Sequence, residues 1–333
     1  MSSITRRTAA MSVLALGAAA MLAPAISRAQ GANEKTPTTV KLSVTPSAAM
    51  APLHLGIKNG FFQEEGLAIE FLLTGGGAVT GIPSLLSGES NFVSGSYTSA
   101  VVALGRGLGI RAVAPGDGAP ANPDDDMYRI VTSEGSSIKR PADLEGKTVG
   151  VNSLGGIPVF QVNGAVAADN GDPAKVKYVV VPFPQGLSAL QQGRVDAIHS
   201  VEPFLTSFSR ETPLQDVGPA SVPLGRNAPM VGWLTSAAFY EQHRDVVARF
   251  QKAINRSNAY AAANPGEARA IVSSYMKLPQ EIIDRMRMPT FVESVTIEDM
   301  ARQQDLILKL DPDAQGTPPP ASEWVLPNPL SDR

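Results

Sequence analysis

The chain has 333 residues with a formal net charge of −3, 28 Lys and Arg against 31 Asp and Glu, 43% hydrophobic residues and no cysteine. This length is enough for about two domains with sizeable cores. The nearly balanced charge excludes a basic nucleic-acid surface as the main function, and the absence of cysteine excludes disulfides, thiolate nucleophiles and iron–sulfur clusters. The histidines His54, His199 and His243 lie far apart without metal-ligand spacing, so no metal or other cofactor is expected.

Residues 1–29 have the pattern of a cleaved signal peptide. Arg6 and Arg7 precede an alanine-rich apolar stretch from Ala9 to about Ala23, and Ser27–Ala29 resembles a small-residue cleavage site. A membrane anchor is the alternative, but small and polar residues interrupt the apolar stretch. The paired arginines resemble a twin-arginine export signal, although general secretory signals also carry such pairs. The pattern therefore predicts export of the mature chain to the periplasm.

Beyond this segment, predicted strands and helices alternate in two blocks. The first block is predicted to contain strands at 41–44, 69–73, 92–93 and 110–114, with helices at 52–63, 75–88 and 97–104. The second is predicted to contain strands at 128–132, 148–151, 176–181 and 197–201, with helices at 140–144, 157–170 and 186–192. Strands that alternate with helices of roughly ten residues favour an α/β fold with parallel sheets covered by helices.

The connections predict how the two blocks are joined. Residues 115–126 are rich in Gly, Pro, Asn and Asp, which is typical of a loop beside a domain crossing. A further strand is predicted at 229–235, followed by amphipathic helices to Leu310. The last residues, 311–333, carry three consecutive prolines and predict an extended tail that wraps one lobe. Together these features predict two lobes joined by two crossings.

Small and hydroxylated residues follow four of the predicted strands. In open α/β sheets, ligands sit at the carboxyl ends of strands, where the backbone N–H groups at helix starts are unpaired. The segments at these four positions are Ser47–Ala49, Thr74–Gly77, Ser94–Ser99 and Asn152–Gly156. Each alone could be only a helix cap or a tight turn. Their convergence on one edge predicts a site for a small anion or a polar head group.

Five short motifs carry a resemblance to a known family. They are GFFQEEGL at 60–67, SGESNFV at 87–93, RPADLEGKTVG at 140–150, GRVDA at 193–197 and EPF at 202–204. In order and spacing they resemble the nitrate/sulfonate/taurine-type periplasmic substrate-binding proteins of ABC transporters, a group that also includes thiamine-pyrimidine-type members. The resemblance covers about residues 40–236 and continues less clearly to Leu310.

The resemblance implies a type II periplasmic binding protein fold, with two α/β lobes, a ligand cleft between them and two hinge crossings. Lobe one would comprise roughly 38–126 and 227–333, and lobe two 127–226. The implied function is that of a monomeric solute receptor that closes around its ligand and presents it to a membrane permease. Neither catalysis nor nucleic-acid binding is expected.

By the layout of that family, the following residues map to the cleft: Ser47, Ala48, Gly76, Gly77, Ser96, Tyr97, Ser153, Leu154, Gly155, Gly156, Glu202 and Trp233. Ser153 and the backbone amides at 155–156 would cap an anionic end, and Ser96 would hydrogen-bond it from the other lobe. Tyr97 or Trp233 could stack on an organic body or lie in the core. Glu202 could face the cleft and favour an amine, or it could cap the following helix.

The charges in these loops limit the ligand. No Lys or Arg falls in them, and helix dipoles contribute only about 0.3–1 kcal/mol each near the surface, so a doubly charged anion would lack a counter-ion. The pattern favours a small organic monoanion or polar solute, such as a sulfonate, a carboxylate or a nitrate-like ion. A thiamine-precursor pyrimidine or other neutral heterocycle is the alternative ligand. The alternative functions are a periplasmic ligand receptor for a sensor kinase and an unrecognised enzyme. His199, alone on a predicted strand near the cleft, is expected to be structural.

Overall fold

The computed structural model describes residues 36–73 and 78–327. The predicted signal peptide, the glycine-rich segment Thr74–Gly77 and residues 328–333 lie outside this part of the chain. The described residues form two five-stranded sheets and one two-stranded ribbon. None of the described helices is both long and apolar enough to cross a membrane.

Sheet one comes from both halves of the sequence. Its strands are β1 (Thr38–Val44), β2 (Leu67–Leu73), β3 (Phe92–Ser96), β4 (Ile110–Pro115) and β11 (Val231–Ser236). They lie in the order β2-β1-β3-β11-β4. Strand β1 pairs in parallel with β2 and β3, as predicted, whereas β11 runs antiparallel to both β3 and β4. The prediction of a parallel sheet fails at β11 because the chain re-enters this sheet from the second crossing.

Sheet two comes from one continuous stretch of chain. Its strands are β6 (Tyr128–Ser133), β7 (Thr148–Val151), β8 (Lys177–Val180), β9 (Ala197–Val201) and β10 (Leu214–Pro219), in the order β10-β6-β9-β7-β8. Strand β7 is parallel to β8 and β9, and β6 is antiparallel to β9 and β10. The sequence did not predict β10. The ribbon, β5 (Asp117–Gly118) with β12 (Thr290–Phe291), lies partly in the predicted loop 115–126.

Helices cover both sheets. They are α1 (Ala51–Lys58), α2 (Phe61–Glu64), α3 (Ala78–Ser87), α4 (Tyr97–Gly105), α5 (Ile157–Ala168), α6 (Gly186–Gln191), α7 (Phe204–Glu211), α8 (Ala237–Gln242), α9 (Arg244–Ala263), α10 (Pro265–Met276), α11 (Gln280–Arg285), α12 (Ile297–Leu310) and α13 (Ala321–Trp324). Short 3₁₀-helices lie at Ala48–Met50, Pro123–Asp125, Pro141–Leu144, Pro173–Lys175, Phe183–Gln185 and Val222–Leu224. The single helix predicted at 52–63 is broken at Gly60, whose φ of 77° lies in the left-handed region.

The tail closes the core beside sheet one. Trp324 of α13 is fully buried in a hydrophobic cluster that includes Tyr97 and Ile110. Its indole Nε1 donates to Gln304 Oε1 at 3.0 Å. The backbone N–H of Leu326 donates to the carbonyl of Ala112 in the edge strand β4. The described part of the tail therefore both fills the core and covers the edge of sheet one.

Asp126 ties the two crossings together. The chain passes from sheet one to sheet two between β5 and β6, and it returns after β10 through the 3₁₀-helix at 222–224. The Asp126 carboxylate is completely buried. It accepts hydrogen bonds from the backbone N–H groups of Ser221 and Val222, at 2.8 and 3.1 Å, and from the Ser221 hydroxyl at 2.7 Å. Charge-assisted bonds of this kind hold both crossings side by side.

Candidate functional site

A cleft lies where the carboxyl ends of strands from both sheets face each other. Its cavity volume is about 120 Å³. From the elements of sheet one it is lined by Thr45, Ser47, Ala49, Met50, Ser94, Gly95, Ser96, Ser99, Asp117 and Val231. From the elements of sheet two it is lined by Tyr128, Asn152, Ser153, Gly155, Ile157, Pro158, Phe183, His199 and Val201.

The cleft has mostly apolar walls and one acidic side chain. Among the described residues that line it, Asp117 is the only Asp or Glu, and none is a Lys or Arg. The Phe183 ring, which stacks on Phe204 with 5.4 Å between ring centroids, supplies a flat apolar surface. Among these lining residues, an ionised Asp117 therefore has no compensating side-chain cation.

The carboxyl group of Asp117 is buried, and only one of its oxygens has a side-chain partner. It is 1% exposed, and its Oδ2 accepts a hydrogen bond from the Tyr128 hydroxyl at 3.0 Å. Its Oδ1 is buried and has no hydrogen-bond partner in the described structure. The pKa of Asp117 is raised to about 7, mainly by burial; the nearby Asp126 contributes to the rise, and the hydrogen bonds from Tyr128 and from the backbone of Asp117 itself oppose it.

Local backbone packing fixes the position of Asp117 in the ribbon at the first crossing. It pairs with Phe291 in the ribbon, and its carbonyl accepts from the N–H of Met230 at 3.1 Å. A Cβ at the next residue, Gly118, would lie 2.6 Å from the carbonyl oxygen of Ala228, closer than real Cβ contacts allow. Glycine is therefore required there for the two crossing strands to approach each other.

His199 lies on the opposite side of the cleft, on β9. It is 2% exposed, and burial lowers its pKa to about 3, so the imidazole is neutral at physiological pH. Its Nε2 lies 2.7 Å from Oε1 of Gln161 on α5, and its Nδ1 is buried without a partner in the described structure. The Tyr128 ring stacks on the imidazole with 6.1 Å between centroids and 19° between planes.

Four of the predicted site residues line this cleft: Ser47, Ser96, Ser153 and Gly155. The Ser96 hydroxyl is the N-cap of α4; it accepts from the Ser99 N–H at 3.1 Å and donates to the Ser99 hydroxyl at 2.9 Å. The Ser153 hydroxyl donates to the carbonyl of Gly155 at 2.9 Å. Both hydroxyls therefore make local cap and turn hydrogen bonds. The sequence left this open as the alternative to ligand binding.

Other predicted site residues lie away from the cleft. Tyr97 is buried in the core, with its hydroxyl 3.4 Å from the carbonyl of Ala114, and Trp233 packs edge-on against Phe250. Of the two placements that the sequence left open for these rings, the structure has the one in the core. Ala48 is fully buried among apolar side chains, and Leu154 is 50% exposed.

Glu202 caps the helix that follows it. Its carboxylate is fully buried and accepts from the N–H of Thr206 in α7 at 3.1 Å and from the N–H of Arg287 at 3.3 Å. Burial raises the pKa of Glu202, and these hydrogen bonds and the Arg287 charge oppose the rise. Of the two orientations expected for Glu202, the structure has the capping one. Gly156 lines a neighbouring cavity with Arg106 and Asp313, and Gly76 and Gly77 lie outside the described residues.

The sequence missed Asp117 and Tyr128 as site residues. A signal was present, because Asp117 lies three residues after the end of the predicted fourth strand, at the carboxyl end where ligands of such sheets bind. Its two flanking glycines also indicate a close backbone approach. No group of three or more metal-ligating side chains occurs in the described part of the chain.

Comparison with known proteins gives a family and a fold. The model of the NMT1/THI5-like family matches residues 47–268. The formylaminopyrimidine-binding protein of Halalkalibacterium halodurans is 28% identical over 69% of this chain and 67% of its own length.

Two solved structures illustrate the likeness of fold. The alkanesulfonate-binding protein of Xanthomonas axonopodis pv. citri, bound to MOPS, superposes with a TM-score of 0.71 at 15% identity, over 88% of this chain and 99% of its own. The nitrate-binding protein of Synechocystis superposes with a TM-score of 0.65 at 14% identity, over 83% and 86%. The predicted fold, two α/β lobes around a cleft, is thereby confirmed. This chain belongs to the NMT1/THI5-like family and has the periplasmic binding protein fold.

Proposed function

We propose that the protein is the periplasmic solute receptor of an ABC importer and that its ligand is a small nitrogen heterocycle of the pyrimidine class. The family match, the names of its relatives and the two-lobed fold support the receptor role. By this proposal the partner is a membrane permease, the receptor is a monomer, and the segment 1–29 directs export. Lobe one (38–126 and 227–333) and lobe two (127–226) close on the solute.

The proposed ligand class depends mainly on the buried Asp117 carboxylate. Asp117 lines the cleft and its Oδ1 is buried without a partner in the described structure, so a ligand N–H group that reached it would satisfy it. Flat apolar walls such as Phe183 would bury the faces of a heterocyclic ring. The formylaminopyrimidine-binding relative supports this class, at 28% identity, more than the sulfonate and nitrate neighbours do at 14–15%.

A monoanion is the second candidate, favoured by the helix-start amides on both sides of the cleft. Gly155 and Ser96 both lie at such starts and line the cleft. A sulfonate or nitrate would, however, be placed in the same cavity as the Asp117 carboxyl, whose ionised form would repel it. The heterocycle therefore agrees better with the charges of the described residues.

The first experiment is thermal unfolding of ligand-free protein against aminopyrimidines, alkanesulfonates, nitrate and aromatic carboxylates at pH 8. A ligand at 1,000 times its Kd should stabilise the fold by about 4 kcal/mol, which raises Tm by several degrees. We expect this with an aminopyrimidine and a loss of about 10–100-fold in affinity in Asp117→Asn, since a hydrogen bond to a charged group contributes about 1.5–3 kcal/mol. A rise in Tm with sulfonates or nitrate alone would refute the pyrimidine class and favour an anionic ligand. Chemical turnover of the ligand would refute the receptor role.

Affinity for the aminopyrimidine should fall as the pH is lowered. Because Oδ2 of Asp117 accepts from Tyr128, protonation would place the proton on Oδ1, where the ligand needs an acceptor. With a pKa of about 7, the competent fraction and the affinity should drop about tenfold between pH 8 and pH 6. Of the groups that face Asp117, burial keeps Tyr128 protonated and His199 neutral in this range, and Asp126 is the other neighbouring acid.

Calorimetric titration at several pH values measures how the affinity depends on pH, after correction for the ligand's own titration. The Asp117→Asn variant should show no such slope. An unchanged affinity of the native protein across this range would contradict the proposed contact.

A further inference from the structure

A second cavity lies beside sheet one, next to the cleft but outside it. Its volume is about 220 Å³, against about 120 Å³ for the cleft. Its walls come from the carboxyl ends of β1 and β2, at Val44 and Leu73, and from helices α1 and α10. Leu73 is 71% exposed, so the cavity is accessible from solvent. Met50 lines both cavities and therefore lies on the boundary between them.

Three aromatic rings form one wall of this second cavity. The His54 imidazole stacks on the Tyr275 ring with 3.9 Å between centroids and 4° between planes, and on the Phe71 ring with 5.4 Å and 13°. The Tyr275 hydroxyl donates to the carbonyl of Ser47 at 3.1 Å, which holds that ring in place. All three rings are only partly buried. They therefore offer a flat apolar surface on which another planar ring can pack.

The lining of this cavity carries no charge at neutral pH. Among the described residues that line it, none is an Asp, Glu, Lys or Arg. Burial lowers the pKa of His54 to about 4, so its imidazole is neutral. An ion bound there would lose water without gaining a charged partner, which is costly. An engineered apolar cavity of about 150 Å³ binds benzene, so the space here is sufficient for one substituted aromatic ring.

His54 supplies the cavity with a polar group that has no partner of its own. Within the described residues its imidazole makes ring contacts but no hydrogen bond. A neutral imidazole carries one N–H donor and one lone-pair acceptor, whichever nitrogen bears the proton. A hydroxyl group can donate or accept, so a phenolic hydroxyl can bond His54 in either tautomer.

We propose that this cavity is a second binding site, for an uncharged hydroxylated aromatic compound whose ring packs on the aromatic wall and whose hydroxyl bonds His54. A mostly apolar cavity with one or two polar groups is the usual character of a small-molecule site. The site is distinct from the cleft, and the inference does not depend on which solute the cleft binds.

The three histidines of the chain report on three different places. His54 lines the second cavity, His199 lines the cleft, and His243 is exposed and lines neither. NMR of the native protein at pH 7 can follow their ring signals while phenol or benzoate is added. Phenol is uncharged at this pH and benzoate is an anion.

We expect phenol to shift the signals of His54 and to leave those of His199 and His243 unchanged. Benzoate should bind at least tenfold more weakly, because its charge has no partner in the cavity. Shifts at His199 without shifts at His54 would place phenol in the cleft and overturn the inference. An unshifted His54, or benzoate that binds there as tightly as phenol, would overturn it as well.

A substitution tests the hydrogen bond separately from the stacking. His54→Phe keeps a ring in the stack and removes both nitrogens, and His243→Phe is the matched control. Ligand-observed NMR titrations give the Kd of phenol and of toluene for each protein. The affinity for phenol relative to toluene should fall about 3–10-fold in His54→Phe and stay unchanged in His243→Phe.

An unchanged ratio in His54→Phe would show that the hydroxyl does not bond His54, and the inference would fail. If that variant does not fold, nuclear Overhauser contacts in the native protein decide instead. Phenol protons should then show contacts with the rings of Tyr275 and Phe71. Phenol that shows contacts only with Phe183, in the cleft, would overturn the inference.

Discussion

Replacing Asp117 by asparagine is expected to raise the free energy of unfolding of the ligand-free protein by up to about 4 kcal/mol at pH 8. The buried carboxyl group has a pKa of about 7 in the folded state against 3.8 as its ordinary value, and each pH unit corresponds to about 1.4 kcal/mol. Between these values the folded state binds more protons than the unfolded state. Native stability therefore falls as the pH rises from about 4 to 7, and above 7 the full cost is present.

Asparagine does not ionise and still offers an oxygen to the Tyr128 hydroxyl. The increase in the free energy of unfolding should therefore be near zero at pH 4 and reach its maximum above pH 7. Urea unfolding at a series of pH values measures it. Asp125→Asn changes an exposed carboxylate of the same loop and should alter stability by less than about 0.5 kcal/mol. A destabilised Asp117→Asn variant at pH 8 would mean that the carboxylate is paired in solution. The same substitution should weaken ligand binding, so stability and function oppose each other at this residue.

Truncating Trp324 to alanine is expected to cost about 3–5 kcal/mol of unfolding free energy. The indole is fully buried beside sheet one, and its Nε1–H bond to Gln304 would also be lost. Urea unfolding measures the change, and the denaturant slope should stay the same if only stability is affected.

The neighbouring Glu323 provides the control, because it is exposed on the same short helix. Glu323→Ala should change stability by less than about 0.5 kcal/mol. Trp324→Phe should recover part of the loss, since it keeps an apolar ring without the N–H donor. A loss below about 1 kcal/mol in Trp324→Ala would show that the tail is not docked in solution.

Local periodicity predicted most of sheet one and sheet two, because buried strands and amphipathic helices leave clear patterns. What it did not predict depends on long-range pairing. The antiparallel direction of β11 follows from the path of the second crossing, and β10 is recognisable only beside β6. The break at Gly60 is local, but a glycine inside a helical pattern is often tolerated, so its left-handed conformation was not evident.

The candidate site was predicted in position more than in chemistry. Ser96 and Gly155 were placed at the cleft because the carboxyl ends of parallel strands share one edge. The carboxyl group of Asp117 could not be identified in this way. Its burial and its hydrogen bond with the Tyr128 hydroxyl depend on the packed structure. His199 was expected to be structural; the structure places it among the residues that line the cleft, where it is buried and contacts Gln161.

The central place of β11 in sheet one has a consequence for how the molecule forms. Strands β3 and β4 pair with β11 and not with each other, so each keeps an open edge until residues 231–236 have been synthesised. Sheet two needs only residues 128–219, whose contacts are closer in sequence. A nascent chain can thus complete the second sheet while the first still exposes two hydrophobic strand edges. Unpaired strand edges favour association with other chains, so the first sheet is open to such association until β11 is added.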